Sequence, residues 1–125
     1  MILLDTSILI DFYRKKDKSK TVLFQLEKDH HQLAISVLTQ FEIYKGAKEE
    51  KIQFWNDFFE KMIILPFNTE TALIAATIDN ELKKISKQID LADLFIAATA
   101  ISANIPCATL NKKHFERIEK LQLIS

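Results

Sequence analysis

Met1-Ile2-Leu3-Leu4-Asp5-Thr6-Ser7 is the stretch that decides the fold. Its apolar run is too short for a stable helix and suits a strand buried on both faces. The run ends in a carboxylate followed by two hydroxyls, either of which can cap a helix. A charge is thereby placed at the carboxyl end of a strand, the edge at which open α/β sheets bind their ligands. An Asp in that position also serves as an ordinary helix cap, and this segment alone accommodates both roles.

Working outward, four more short apolar runs read as strands: Leu33–Ser36, Met62–Leu65, Pro106–Thr109 and Leu121–Ile124. Between them the hydrophobic period is helical. Ile52, Trp55, Phe59 and Met62 form one stripe, Ile74, Ile78, Leu82 and Ile85 a second, and Leu94, Ala97, Ala98 and Ile101 a third. A two-helix hairpin, Ser7–Arg14 and Lys20–Asp29, is expected after the first strand. Asn68 is placed to cap the helix carrying the second stripe. Asn104, with Pro106 two residues on, is placed to stop the helix carrying the third. The aromatic-rich helix Lys51–Lys61 reads as core and dimer surface, not as a ligand box. Strand–helix alternation predicts an α/β fold, a parallel sheet with helices on both faces, in a single domain spanning 1–125.

The bulk numbers narrow the function. A chain of 125 residues with 48% apolar content can bury a core of its own. Lys+Arg and Asp+Glu are equal at 17 each, so any nucleic-acid surface must be local. The single cysteine, Cys107, excludes an internal disulfide and fits a reducing, cytoplasmic setting; it reads as core. No apolar run reaches membrane length and no secretory signal is expected. Gly46 is the only glycine, which excludes Gly-rich phosphate loops.

In a parallel sheet of this kind all strand carboxyl ends share one edge. Asp5 ends the first strand, and Glu42 lies about one turn into the helix after the second, beside Phe41 and at the border of its packed face. Asp90 and Asp93 open the helix before the fourth strand, and Thr109 and Asn111 follow that strand. Clustered carboxylates resist ionising together, and a divalent cation removes the conflict. Mg²⁺ and Mn²⁺ favour carboxylate, water and phosphate oxygens. Such an ion activates water and stabilises phosphate oxygens in an in-line displacement.

Each residue also has a plainer reading. Glu42 is an exposed helix acid, Asp90 and Asp93 are first-turn acids facing the helix dipole, and Thr109 and Asn111 are turn residues. Asp11, Asp57 and Asp79 read as solvated helix acids. His30, His31 and His114 lack zinc-ligand spacing, and Ser7 lacks a Ser-His-Asp context.

Taken together, Leu3-Leu4-Asp5-Thr6-Ser7, Phe41-Glu42-Ile43, the run Leu91 to Ala100 and the run Thr109 to Phe115 resemble the PIN-domain ribonucleases. Among these the VapC-type toxins of bacterial toxin–antitoxin pairs are the nearest match. The resemblance spans nearly the whole chain in the right order, and Asp93-Leu94-Phe95-Ile96-Ala97-Ala98 is its most specific piece. It implies a three-layer α/β/α sandwich with a central parallel sheet and Mg²⁺- or Mn²⁺-dependent endoribonuclease activity. The family's catalytic and metal-binding acids fall on Asp5, Glu42 and Asp93. Thr109, Asn111, Asp90, Thr6 and Ser7 take supporting places. Asn111 stands where many members have Asp, which removes a charge that a second metal would need. The resemblance also implies an RNA substrate of the transfer or ribosomal class, a homodimer, and a VapB-type antitoxin whose C-terminal segment covers the active-site groove.

Charge is placed unevenly enough to permit RNA. Arg14, Lys15, Lys16, Lys18 and Lys20 surround Asp17, Lys112, Lys113 and Arg117 follow Asn111, and Lys45 and Lys48 lie beyond Glu42. Lys15, Lys16, Lys112 and Lys113 are the candidate phosphate contacts; ordinary solvated faces look the same in sequence. Two alternatives stand beside the nuclease. One is a catalytically silent PIN-fold binding module, which Asn111 favours. The other is an aspartyl-phosphate enzyme with Asp5 as nucleophile, although such enzymes usually carry a second Asp where this chain has Ser7.

Overall fold

The computed structural model describes residues 1–29 and 31–124. Its elements run β1 (Ile2–Leu4), α1 (Thr6–Arg14), a 3-10 turn (Lys18–Lys20), α2 (Val22–Lys28), β2 (Leu33–Ser36) and α3 (Val37–Gly46). After a second 3-10 turn (Glu49–Lys51) come α4 (Ile52–Glu60), β3 (Ile63–Leu65), α5 (Thr69–Lys84), α6 (Leu91–Ala103), β4 (Cys107–Ala108) and α7 (Lys112–Phe115). The four strands form one parallel sheet in the order β3-β2-β1-β4. The first strand is therefore interior, and the last lies directly beside it.

Alternation along the strands divides the core in two. Leu3, Ala34 and Cys107 point to one face, where they pack with Ala75, Ile78 and Leu82 of α5, Leu94 and Ala97 of α6, and Phe115. Ile2, Leu4, Ile35 and Ala108 point to the other, against Ile8 and Leu9 of α1, Leu23 and Leu26 of α2, Ile43 of α3, and Trp55 and Phe59 of α4. The three-layer α/β/α sandwich follows from these two clusters. Trp55 and Phe59 are core, as their spacing predicts, while Phe54 of the same helix is left exposed.

The caps read from sequence are in place. Asn68 Oδ1 accepts the Thr71 N–H at 3.0 Å, and Asn104 ends α6 in the left-handed region at φ 56°. One expected strand is not formed. Residues 121–124 make a single parallel bridge, Leu123 to Cys107, with the Cys107 N–H donating to the Gln122 carbonyl. The two-residue β4 offers too short a template for more, and Leu121 turns into the core instead. The second hairpin helix is also shorter than expected: Lys20 belongs to a 3-10 turn, and α2 starts at Val22 after a Thr21 cap. His30, set aside above as a metal ligand, lies outside the described residues. Among the described residues no helix is long and apolar enough to cross a membrane.

Candidate active site

Asp5 ends the interior strand and is 2% exposed. It does cap α1, since its Oδ1 accepts the Ile8 N–H at 3.4 Å. The hydroxyls that follow it have other partners. Ser7 Oγ donates to Asp5 Oδ1 at 2.5 Å and accepts the Leu110 N–H at 3.0 Å. Thr6 Oγ1 donates to Glu42 Oε1 at 2.6 Å and lies 3.2 Å from the Thr39 hydroxyl. From the far end of the chain, Thr109 Oγ1 donates to Asp5 Oδ2 at 2.5 Å and accepts the Asn111 N–H at 2.8 Å. The pairing that allows this is β1 against β4, continued by the Asp5 N–H to the Ala108 carbonyl at 3.1 Å.

Asp93 stands in the first turn of α6, with its Oδ2 3.3 Å from His114 Nδ1. Burial is the leading cause that raises the Asp5 carboxyl above its ordinary value. The hydrogen bonds from Ser7, Thr109 and Ile8 pull it back down, and the charge on Asp93 raises it further. Asp93 is raised in the same way, first by burial; the bond to His114 lowers it, and the charge of Asp90 raises it. Burial, and then the charges of both carboxylates, push the buried Cys107 thiol up. Among the described residues, His114 is the sole basic side chain within ion-pair distance of any of the three principal acids.

The chain thus brings Asp5 and Asp93 close enough to feel each other's charge, and ties Glu42 to the residue after Asp5. Among the described residues, no three His, Cys, Asp or Glu side chains form a ready-made metal cage. An all-oxygen set built on two carboxylates still fits Mg²⁺ or Mn²⁺, which keep several waters and take one or two carboxylates plus phosphate. Asp90 is exposed at the N-cap of α6 without a side-chain cap bond, and exposed Asn111 caps the short α7. Sequence reading missed His114, set aside as a lone histidine; its closeness to Asp93 exists only once α7 packs against α6.

A cavity of about 480 Å³ opens beside Glu42, with Ile10, Ile43 and Trp55 in its lining and Arg14, Lys48 and Lys51 among its charged residues. The other basic candidates divide. Lys16, Lys112 and Lys113 are exposed, whereas Lys15 pairs with Asp11 at 3.0 Å. Asp11 is not simply solvated, since it also accepts the Val22 N–H at 3.4 Å and so joins α1 to α2. Lys18 is turned away from any ligand; its ammonium donates to the carbonyls of Phe12, Tyr13 and Lys15 and closes the end of α1.

A model of the PIN domain matches residues 2–121, and the chain belongs to that family. Its relatives there include ribonucleases of the VapC type. Ribonuclease VapC1 of Methanocaldococcus jannaschii is 41% identical over 123 residues, covering 98% of this chain and 84% of that protein. Among solved structures, VapBC-1 from nontypeable Haemophilus influenzae superposes with a TM-score of 0.87 at 30% identity, covering 100% of this chain and 98% of the other. VapBC2 from Rickettsia felis, bound to a DNA fragment from its promoter, gives 0.83 at 28% identity, covering 99% and 98%.

Proposed function

We propose that this chain is the endoribonuclease toxin of a type II toxin–antitoxin pair, dependent on Mg²⁺ or Mn²⁺. The observation that carries the reading is the buried Asp5 carboxylate, fixed by Ser7, Thr109 and Ile8 beside a second acid, Asp93, with no lysine or arginine among the described residues to neutralise either. Desolvated, mutually repelling carboxylates held this rigidly favour an added cation. Asp5 and Asp93 would hold the ion directly. Glu42, braced by Thr6, would complete the set from α3. The ion, when bound, supplies a lowered water pKa and charge stabilisation for phosphate oxygens.

The protein's own groups do the rest. Ser7 and Thr109 orient Asp5, and Asn111 closes the same corner through its backbone N–H without adding charge. Lys112 and Lys113 beside that corner, with Lys16 and Lys15 further off, would bind the RNA backbone. The substrate class is transfer or ribosomal RNA. The partner is a VapB-type antitoxin. Its C-terminal segment would lie over the cavity beside Glu42, where apolar walls and charged groups suit a peptide. A homodimer would cover exposed apolar side chains such as Phe41 on α3 and Leu73 on α5.

Purified, antitoxin-free protein incubated with total RNA and Mn²⁺ or Mg²⁺ should give discrete cleavage. EDTA, Asp5→Ala or Asp93→Asn should abolish it, the variants remaining folded. Cleavage by Asp93→Asn at the parent rate would sink the site assignment. Asn111 favours one second reading, a silent binding module. Absence of cleavage from a folded sample that takes up Mn²⁺ would support it.

A further inference from the structure

We propose that the corner between β4 and α7 is a single positioning clamp, in which His114 aims the Asp93 carboxylate as Thr109 aims that of Asp5. The inference rests on the metal-site reading above. His114 Nδ1, 3.3 Å from Asp93 Oδ2, is the one side-chain hydrogen-bond partner of Asp93 among the described residues. Asp5, by contrast, is held by two hydroxyls and a backbone amide. Among the described residues no group of α6 supplies a side-chain bond to Asp93, and the cap residue Asp90 makes no side-chain cap bond.

The backbone at His114 is itself fixed. The neighbouring Phe115 is fully buried in the core shared by α5 and α6. The His114 N–H donates to the Asn111 carbonyl at 3.1 Å, and the Asn111 N–H donates to Thr109 Oγ1 at 2.8 Å. Thr109 Oγ1 then donates to Asp5 Oδ2 at 2.5 Å. One short segment, from Thr109 to His114, therefore holds an oxygen of each acid.

The contact requires an N–H on Nδ1, because a carboxylate oxygen only accepts. That N–H engages Asp93 Oδ2 and leaves Oδ1 in a set direction. Direction matters for Mg²⁺ and Mn²⁺, because a hard ion with near-octahedral demands tolerates little ligand wobble. Loss of an outer hydrogen-bond partner of a metal ligand typically weakens metal binding by about 10–100-fold. His114 is thus a positioning residue, acting through Asp93.

The test is calorimetric titration of Mn²⁺ into metal-free, full-length parent, His114→Ala, His114→Asn and His114→Gln at one pH, with thermal melts to establish folding. Asn carries its amide nitrogen where Nδ1 of histidine stands; Gln carries it one carbon further out. His114→Ala should bind Mn²⁺ about 10–100-fold more weakly. His114→Asn should return close to the parent, and His114→Gln should not. The Mn²⁺ concentration for half-maximal RNA cleavage should follow the same order. Parent-like binding by folded His114→Ala, or His114→Asn no better than Ala, would overturn the clamp and leave the metal site standing. A parent that binds no Mn²⁺ would overturn the metal site and the clamp together.

Discussion

Replacing Thr109 by valine isolates the hydroxyl that holds Asp5. Valine keeps the branched shape and nearly the volume, so little packing is lost at this 4%-exposed position. What disappears is the donor to Asp5 Oδ2 and the acceptor for the Asn111 N–H. A hydrogen bond to an ionised group contributes about 1.5–3 kcal/mol, and the neutral amide bond up to about 1 kcal/mol beside an exposed residue. Metal-free Thr109→Val should therefore lose about 2–4 kcal/mol. At roughly 4 °C per kcal/mol for a chain of this size, Tm falls by about 8–16 °C. The loss has a sign in pH. Thr109 pulls the Asp5 carboxyl down, so its bond favours the charged form. Its contribution is complete above the folded-state titration of Asp5 and shrinks to that of a neutral bond, about 1 kcal/mol, below it. Urea denaturation in EDTA on both sides of that titration, for parent and variant, measures the difference. An equal penalty on both sides, or one under about 0.5 kcal/mol, the scale of an ordinary surface change, would refute the reasoning.

Three further outcomes are expected. Burial raises Asp5 in the folded chain, so the metal-free folded state is favoured by protonation and loses stability as pH rises through the folded value. Asp5→Asn should accordingly gain on the parent as pH rises in EDTA, and Mn²⁺ at a hundred times its Kd should restore the parent by about 2.7 kcal/mol; a gap independent of pH would contradict this. Lys18→Met removes the ammonium that closes α1 on three carbonyls and should cost about 1–3 kcal/mol in urea denaturation, with metal-dependent RNA cleavage unchanged at temperatures where the variant is folded. Leu73→Lys, at a residue 69% exposed, tests the proposed homodimer: the mass measured by light scattering should shift toward monomer without changing the circular dichroism spectrum; a monomeric parent would remove the homodimer, and a dimer of unchanged strength would exclude α5 from the interface.

What was legible in the sequence was what local pattern encodes. The strand that ends at Asp5 is a run of apolar residues stopped by a charge; Asn68 caps with its own side chain, and Asn104 is a residue type that tolerates the left-handed backbone that ends α6. Glu42 was legible as a helix acid at the border of a packed face, but its link to Thr6 spans 36 positions and needs the fold. His114 was invisible for the same reason, since its partner lies 21 positions earlier on another helix. Lys18 misled in the opposite direction. Its charge counts toward a basic surface in sequence, while its long stem folds back to serve the backbone. Residues 121–124 have the composition of a strand, yet pairing needs a neighbour of sufficient length, and β4 has two residues.

The parallel order β3-β2-β1-β4 also sets when the site can come into being during synthesis. Asp5 emerges from the ribosome 104 positions ahead of Thr109, because chains are made and tend to fold from the amino end. Until β4 docks on β1, Asp5 lacks its Thr109 bond, and Asp93 lacks His114 for the same length of chain. A nascent chain, or one truncated before residue 109, carries an acid at the tip of its first strand and no finished site around it. Synthesis through β4 and α7 is therefore built into the site as a condition.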